Sequence, residues 1–222
     1  MKIFIAAALV ALSLALAFGM SRTPAKRAGG NPMPTEAHAN AETKRGETPA
    51  ATVTPSPRAA SQQPLKLPLV NPKIVVSKSK RQLLLYAGGD VVRAYRIALG
   101  ANPVDDKVRQ GDRATPEGDF YICVKNARSN FYLSLGLSYP NIEDAERGLH
   151  DKLITRAERE RIVRAIRSKR RPPWDTALGG EIFIHGGGTD GDWTWGCVAL
   201  SNADIKELFD ALPLGTPVRI EP

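Results

Sequence analysis

The sequence predicts a mainly β domain with a helical insertion and a short C-terminal helix. Between residues 74 and 137, short runs rich in β-branched and apolar residues follow one another closely and are separated by turn residues. A highly charged stretch at about 141–171 has apolar residues at helical spacing. After it, the run EIFIH at 181–185 alternates with period two, which is typical of a strand.

The N-terminal part of the chain is expected to lie outside this domain. Residues 1–20 are an apolar run behind Lys2, which predicts an export signal that is either cleaved or kept as a membrane anchor. Residues 21–70 are rich in Ala, Pro and Thr and contain no Phe, Trp or Tyr, so we expect a disordered linker. The folded domain is then expected at 71–222, exported to the periplasm or cell envelope.

The positive charge of the chain does not indicate nucleic-acid binding. The formal net charge is +8, and residues 1–70, with eight Lys or Arg and three Glu, account for five of those charges. In the rest of the chain the aromatic residues are not interleaved with a basic stripe, so we expect no nucleic-acid partner. A basic tail is instead typical of attraction to an anionic membrane or wall polymer.

The first half of the domain consists of strands and tight turns. The runs 74–76, 82–86 and 91–99 have short connections and predict an antiparallel meander. We expect its core face to take Ile74, Val76, Leu83, Leu85, Val92 and Ile97. Gly, Thr-Pro and Gly within 111–118 predict a sharply turned loop, which leads into a strand at 119–125.

The second half combines the insertion with the last elements of the sheet. The run 131–137 alternates as a strand, and Tyr139 lies in the following turn or ligand-facing loop. The insertion at about 141–171 is predicted to be helical, to end before two prolines and to cover a cleft. A helix at 203–211, capped by Ser201 or Asn202, and a final strand at 217–220 complete the domain.

A candidate catalytic pair lies in the stretch 181–200. His185 ends one predicted strand and Cys197 begins the next, twelve positions later, with a glycine-rich loop between them. Two such groups can come within hydrogen-bonding reach, as a thiolate nucleophile and an imidazole base require. A metal site of His185, Cys197 and Asp190 or Asp192 is the chemical alternative, but it lacks the usual zinc spacings, so no metal is expected.

The same residues carry a resemblance to a known family. His185-Gly186 and the run TWGCV at 194–198, with IVVSKSKRQLLLY at 74–86 and GDRATPEGDF at 111–120, resemble the YkuD-type L,D-transpeptidases of the bacterial cell wall. This resemblance implies a YkuD-like β-sandwich or mixed-sheet fold, no cofactor and a monomer. The chain departs from the pattern at Ala199, where relatives often carry an Arg that helps to hold a substrate carboxylate.

Roles for the surrounding residues follow from this resemblance and from the chemistry of acyl transfer. Cys197 is the expected nucleophile and His185 its general base and acid. The remaining candidates support the imidazole and the turn (Gly186, Gly187, Thr194), form an oxyanion hole with backbone amides (Trp195, Gly196, Cys197) or line a substrate groove (Trp193, Trp195, Tyr139). Cys123 is expected to be a buried, inert thiol, and not the partner of Cys197 in a disulfide.

The reaction implied by the resemblance has two steps. The thiolate attacks the bond between the diamino acid and the terminal D-alanine of a peptidoglycan stem tetrapeptide, and an amine then resolves the thioester. With water as the acceptor, the same groups would give a carboxypeptidase or an amidase. A wall-binding module without catalysis is the alternative from a different class. Arg113, Arg128 or the helical insertion are candidates to replace the missing Arg.

Overall fold

The computed structural model describes residues 64–222. The predicted export signal and most of the predicted linker lie outside these residues. Leu65 and Leu69, near the end of that linker, pack against the core, so the packed part of the chain begins a few residues before 71. No helix within the described residues is both long and apolar enough to span a bilayer.

The described strands form one mixed sheet, as the sequence predicts. Its eight members are β1 (Lys73–Ser77), β2 (Gln82–Ala87), β3 (Asp90–Arg96), β4 (Gly118–Ser129), β5 (Tyr132–Leu137), β6 (Phe183–His185), β7 (Val198–Ala199) and β8 (Pro217–Glu221). Their order in the sheet is β3-β2-β1-β8-β4-β5-β6-β7. The first three strands pair antiparallel and form the predicted meander. Parallel pairing occurs between β1 and β8 and between β6 and β7.

The sheet is curled, so that the residues just after one edge strand, β3, pair with the other edge strand, β7. Ala98, just after β3, forms an antiparallel bridge with Ala199 in β7. Both hydrogen bonds of this pair are present, at 2.9 and 2.8 Å. The bridge brings the end of the N-terminal meander next to the strand that follows Cys197.

Three helices complete the described fold, and the insertion contains two of them. These are α1 (Ile142–His150), α2 (Arg156–Arg167) and α3 (Asn202–Ala211), the last capped by Ser201. The insertion predicted at about 141–171 is thus helical, and the structure divides it into two helices. A new N-terminus forms at Thr155, whose side chain and that of Glu158 make a reciprocal capping box. Lys152, with φ of 60°, turns the chain between the two helices.

One large core fills the curled sheet, and it contains most of the predicted positions. Ile74, Val76, Leu83, Leu85 and Ile97 are all buried. Val92 is only half-buried, in contrast to the prediction, because Arg93 and Tyr95 occupy the inner face of β3. An irregularity in the pairing of β2 with β3 at Leu85/Tyr86 shifts the register there. Both inward polar groups are satisfied, because the Arg93 guanidinium and the Tyr95 hydroxyl donate to Glu207 of α3.

The helical insertion has a small core of its own. Ala145, Ile154, Ile162 and Leu178 are buried together. Gly148 allows the closest contact, since a Cβ at that position would lie 2.7 Å from a Leu178 methyl group. Trp174, which follows α2, packs edge-on against Phe183 of β6 at 5.6 Å between ring centroids. The insertion is thereby attached to the strand that leads to His185.

Thr155→Ala tests the capping box that divides the insertion. The substitution removes the oxygen that accepts the Glu158 amide at 3.2 Å. We expect the free energy of unfolding to fall by about 1 kcal/mol, the usual cost of losing such a cap. Urea unfolding followed by circular dichroism measures it. Thr155→Ser keeps the oxygen and is the control, and equal loss in the two variants would contradict the role of the cap.

Candidate active site

His185 lies at the end of β6, buried and held by its neighbours. Its Nδ1 lies 2.6 Å from the carbonyl oxygen of Gly186, so Nδ1 carries the proton and Nε2 is the basic nitrogen. Phe131 stacks on the imidazole with 4.5 Å between centroids, and Trp193 packs edge-on at 5.6 Å. Burial lowers the pKa of His185, although the bond to Gly186 acts in the opposite direction. The imidazole is therefore neutral at pH 7.

Cys197 directly precedes β7, and its thiol is free and half-buried. The backbone N–H of Phe183 donates to Sγ at 3.4 Å, and the thiol donates to the carbonyl oxygen of Glu181 at 3.6 Å. Burial raises the pKa of this thiol to about 11, although the Phe183 amide and the charge of Lys107 act to lower it. The resting sulfur is thus a protonated thiol.

The two groups of the candidate pair face one cavity but are not hydrogen-bonded to each other within the described structure. This cavity, of about 370 Å³, is lined by Asn126, Arg128, Ser129, Asn130, Phe131, Ser134, Glu181, Phe183, His185 and Cys197. The sequence predicted that sulfur and imidazole come within hydrogen-bonding reach. Here the thiol is turned towards the Glu181 carbonyl, and catalytic hydrogen bonds often form only when substrate is bound.

A second cavity is also lined by Cys197. It measures about 240 Å³ and is lined by Lys107, Gln110, Gly111, Gly179, Gly180, Glu181, Ile182, Trp195 and Cys197. Glu181 also lines the first cavity, so it lies between the two. The two cavities differ in character, because His185 and Arg128 line the first and the buried Lys107 lines the second. Cys197 therefore lines two chemically distinct cavities.

Thr194 holds the turn that carries the thiol. Its hydroxyl donates to the carbonyl of Cys197 at 2.7 Å and accepts the amide of Gly196 at 3.2 Å, and its side chain is buried. Gly196 has φ of +119°, and a Cβ there would lie 2.6 Å from the carbonyl oxygen of Ala114. Only glycine fits this combination of conformation and contact.

The three amides predicted for the oxyanion hole are not equivalent. The Gly196 amide already donates to Thr194, so it is not available to an oxyanion. Within residues 64–222, the amides of Trp195 and Cys197 have no protein acceptor. This arrangement corrects the prediction for Gly196 and leaves Trp195 and Cys197 as the candidate donors.

The glycines after His185 form a close contact with the start of α3. A Cβ on Gly186 would lie 2.4 Å from the side-chain oxygen of Asn202, which also accepts the amide of Gly187 at 3.0 Å. Gly187 has φ of +107°, a conformation that L-residues rarely adopt. Asn202 thus fixes the chain on the C-terminal side of the imidazole.

The aromatic residues predicted for a substrate groove fall into two groups. Trp193 and Trp195 are exposed, at 38% and 67%, and lie beside the first and second cavity respectively. Tyr139 is fully buried and donates its hydroxyl to the Leu178 carbonyl at 3.0 Å, so its assignment to the groove is wrong. Its ring packs against Phe120 in the core, because the turn at 138–141 lies beneath the helical insertion.

Sequence reasoning gave no role to Phe131 and Lys107, which the fold brings to the site. Phe131 lies in the β4–β5 hairpin turn, far along the chain from the imidazole that it covers. Lys107 lies in a loop before the predicted 111–118 turn and is 3% exposed. A buried Lys has no local sequence signal, since lysines are normally exposed.

The proposed metal alternative has no support in the geometry. Within the described residues, no group of three or more His, Cys, Asp or Glu is arranged to hold a metal ion. The Asp192 carboxylate instead pairs with Arg81 at 2.8 Å and accepts the amide of Leu99 at 2.9 Å. Asp192 therefore serves to anchor the loop between His185 and Cys197 to the first hairpin.

Comparison with known families identifies the domain that contains this site. Residues 71–220 match the model of the YkuD family, described as the L,D-transpeptidase catalytic domain. This chain belongs to the YkuD family. The resemblance drawn from the motifs around His185, Cys197 and 111–120 is thereby confirmed. No curated protein sequence matches this YkuD chain.

Solved structures of similar fold include other YkuD-type proteins. An L,D-transpeptidase from Xylanimonas cellulosilytica has 19% identity and a TM-score of 0.43, covering 73% of this chain and 66% of that one. The helical cell shape determining protein Pgp2 from Campylobacter jejuni has 20% identity and a TM-score of 0.45, with coverages of 68% and 47%. L,D-transpeptidase LdtMt1 in complex with imipenem has 16% identity and a TM-score of 0.41, with coverages of 68% and 59%. The YkuD chain thus spans about half to two thirds of these structures.

Thr194→Val tests the turn that carries Cys197. The substitution keeps the shape of the side chain but loses the bonds to the Cys197 carbonyl and the Gly196 amide. We expect the free energy of unfolding to fall by about 1–3 kcal/mol because two buried polar groups lose their partner. Thermal unfolding and the alkylation rate of Cys197 measure the effect. Thr194→Ser should behave as wild type; unchanged stability and reactivity in Thr194→Val would refute the role of the hydroxyl.

Proposed function

We propose that this protein is a peptidoglycan L,D-transpeptidase with Cys197 as nucleophile and His185 as general base and acid. The observation that carries the proposal is the shared cavity that a free thiol and a neutral, tautomerically fixed imidazole both line. Membership of the YkuD family supports the substrate class, the stem peptides of the cell wall. The predicted export signal fits this function, since peptidoglycan lies outside the cytoplasmic membrane.

The acylation step follows from the atoms that surround the sulfur. Nε2 of His185 takes the thiol proton as Sγ attacks the carbonyl carbon between the diamino acid and D-alanine. The amides of Trp195 and Cys197 donate to the oxygen that becomes negative. His185 then returns the proton to the leaving nitrogen, the carbon–nitrogen bond breaks and a thioester remains on Cys197.

The second step transfers the acyl group to an amine. The incoming amine approaches the thioester, loses a proton to His185 and forms the new amide, and the sulfur leaves as thiol. Water as the acceptor would give a carboxypeptidase or amidase from the same intermediate. Two cavities that meet at Cys197 favour transfer, because the acyl chain can remain in one while the acceptor enters the other.

Replacement of Cys197 tests the function directly. The full chain is incubated with purified muropeptides, and the products are identified by mass. We expect the wild-type protein to release D-alanine and form cross-linked products, and Cys197→Ala to lose more than about 10⁴-fold of this rate, as expected for a missing nucleophile. Cys123→Ser is the matched control and should keep full turnover.

The products also separate the alternatives. Tripeptides without cross-links would indicate a hydrolase, and binding to the wall without any product would indicate a non-catalytic module. Imipenem gives an independent readout, because this carbapenem is expected to acylate a nucleophilic Cys197 and add its mass to the protein. An adduct mass on the peptide that contains Cys197 would support the nucleophile; turnover retained by Cys197→Ala would refute it.

Arg128 is proposed to bind the carboxylate of the leaving D-amino acid. His185 must protonate the leaving nitrogen, so the leaving residue lies in the first cavity, which Arg128 also lines. Within residues 64–222 the Arg128 guanidinium has no ion-pair partner. Ala199 cannot bind this carboxylate, because its uncharged side chain is fully buried and its backbone is paired with Ala98.

Arg128→Ala is expected to weaken binding of stem peptides with a free terminal carboxylate. We expect KM to rise about tenfold, which corresponds to a loss of roughly 1.4 kcal/mol for one hydrogen bond to a charged group. A peptide ending in a carboxamide should show no such change. Arg113→Ala is the matched control, because the Arg113 guanidinium lies over the Trp195 ring at 4.3 Å. An equal effect on both peptides would exclude carboxylate recognition by Arg128.

A further inference from the structure

A buried lysine lines the second cavity beside Cys197, and the mechanism above gives it no part. Lys107 is 3% exposed, and the other members of that cavity lining include no second Lys or Arg. Its ammonium donates to the Arg109 carbonyl at 3.0 Å and to the Asp112 carboxylate at 2.8 Å. An ammonium has three N–H donors. Its ammonium also lies 5.8 Å from the centroid of the Tyr139 ring, and within the described residues it has no third hydrogen-bond acceptor.

The carboxylate partner of this lysine lies away from the thiol. Asp112 lines a different cavity, together with Asp105 and Asp106, and not the one that contains Cys197. Of the two residues in the pair, Lys107 is thus the one that lines a cavity together with Cys197. Because the Coulomb energy falls with distance, Lys107 is expected to have the larger effect of the two on a charge at Cys197.

Other charged and titratable groups face the sulfur less effectively. Arg113 lies over the Trp195 ring, and Arg128, Glu181 and His185 each line a cavity with Cys197. The first three are exposed, so water and salt screen their charges. His185 is buried but neutral at pH 7, because burial lowers its pKa. Lys107 is the group that is both charged and removed from solvent.

We propose that Lys107 is a positioning residue whose buried ammonium stabilises the thiolate of Cys197 across the second cavity. The role supplements that of His185: the imidazole accepts the proton, while Lys107 and the Phe183 amide stabilise the charge left on sulfur. The direction of the Lys107 effect on the thiol, towards a lower pKa, agrees with this geometry, and the charge of Glu181 acts in the opposite direction. The inference rests on the proposed function only in taking Cys197 as the reactive thiol.

The test measures the reactivity of Cys197 without any wall substrate. The full chain is alkylated with iodoacetamide over a range of pH, and modification of the peptide that contains Cys197 is quantified by mass. We expect Lys107→Met and Lys107→Gln to raise the midpoint of the profile and to slow alkylation below it about threefold to tenfold, as for half a unit to one unit in pKa. Lys107→Arg keeps the charge and should stay close to wild type.

Lys78→Met is the matched control for the loss of a buried lysine. Lys78 is 1% exposed and pairs with Glu117 at 2.7 Å, but it lines neither cavity at Cys197. Its replacement should leave the Cys197 profile unchanged, even where thermal unfolding shows lower stability. If Lys107→Met does not fold, the profile of Lys107→Gln decides. A wild-type profile in the neutral variants, or an equal shift in Lys78→Met, would overturn the proposal.

Discussion

The position of the thiol depends on main-chain contact between three segments, two of which have a glycine at the contact. A Cβ at Gly196 would lie 2.6 Å from the Ala114 carbonyl oxygen, and one at Gly100 would lie 2.0 Å from the Arg113 carbonyl oxygen. The segments around Gly100, Ala114 and Gly196 can therefore pack only as backbone on backbone. Because Cys197 directly follows Gly196, any widening of this contact would move the sulfur relative to His185 and Phe183.

The loop that supplies these carbonyls is held by one carboxylate. Asp112 accepts the amides of Val108, Arg109 and Ala114 and the ammonium of Lys107. Burial opposes ionisation of Asp112, but these donors lower its pKa. The Asp112 carboxylate therefore stays ionised at neutral pH. Arg147 of α1 then donates to the Lys107 carbonyl at 2.8 Å. The helical insertion is thereby connected to the loop at 107–112, through the Lys107 carbonyl and the ion pair of Lys107 with Asp112.

Patterns within short segments predicted most of the fold and singled out His185 and Cys197, which the fold places on one cavity. Alternation placed Ile184 inside and His185 on the cavity face, and turn residues separated the strands. The capping signal at Thr155 and Glu158 was present in the sequence, so the break between α1 and α2 could have been predicted. The burial of Tyr139 could not, because it depends on Trp174 and Leu178, which are distant along the chain. The burial of Lys107 also depends on contacts made far along the chain.

Burial disfavours charge on the two reacting groups, and it strengthens the electrostatic effect of the buried groups around them. It favours the uncharged forms of Cys197 and His185, so the resting pair is neutral and the proton leaves sulfur only as a carbonyl is attacked. The same low polarity strengthens the interactions of the Phe183 amide and the Lys107 ammonium with a negative charge on sulfur. These two buried groups favour the thiolate, which burial alone disfavours. Exposed charges such as Arg128 act through water and salt and contribute little to the reactivity of the thiol. They are better suited to bind the charged end of a substrate. The reactivity of the sulfur is then determined by the buried groups, the Phe183 amide and Lys107.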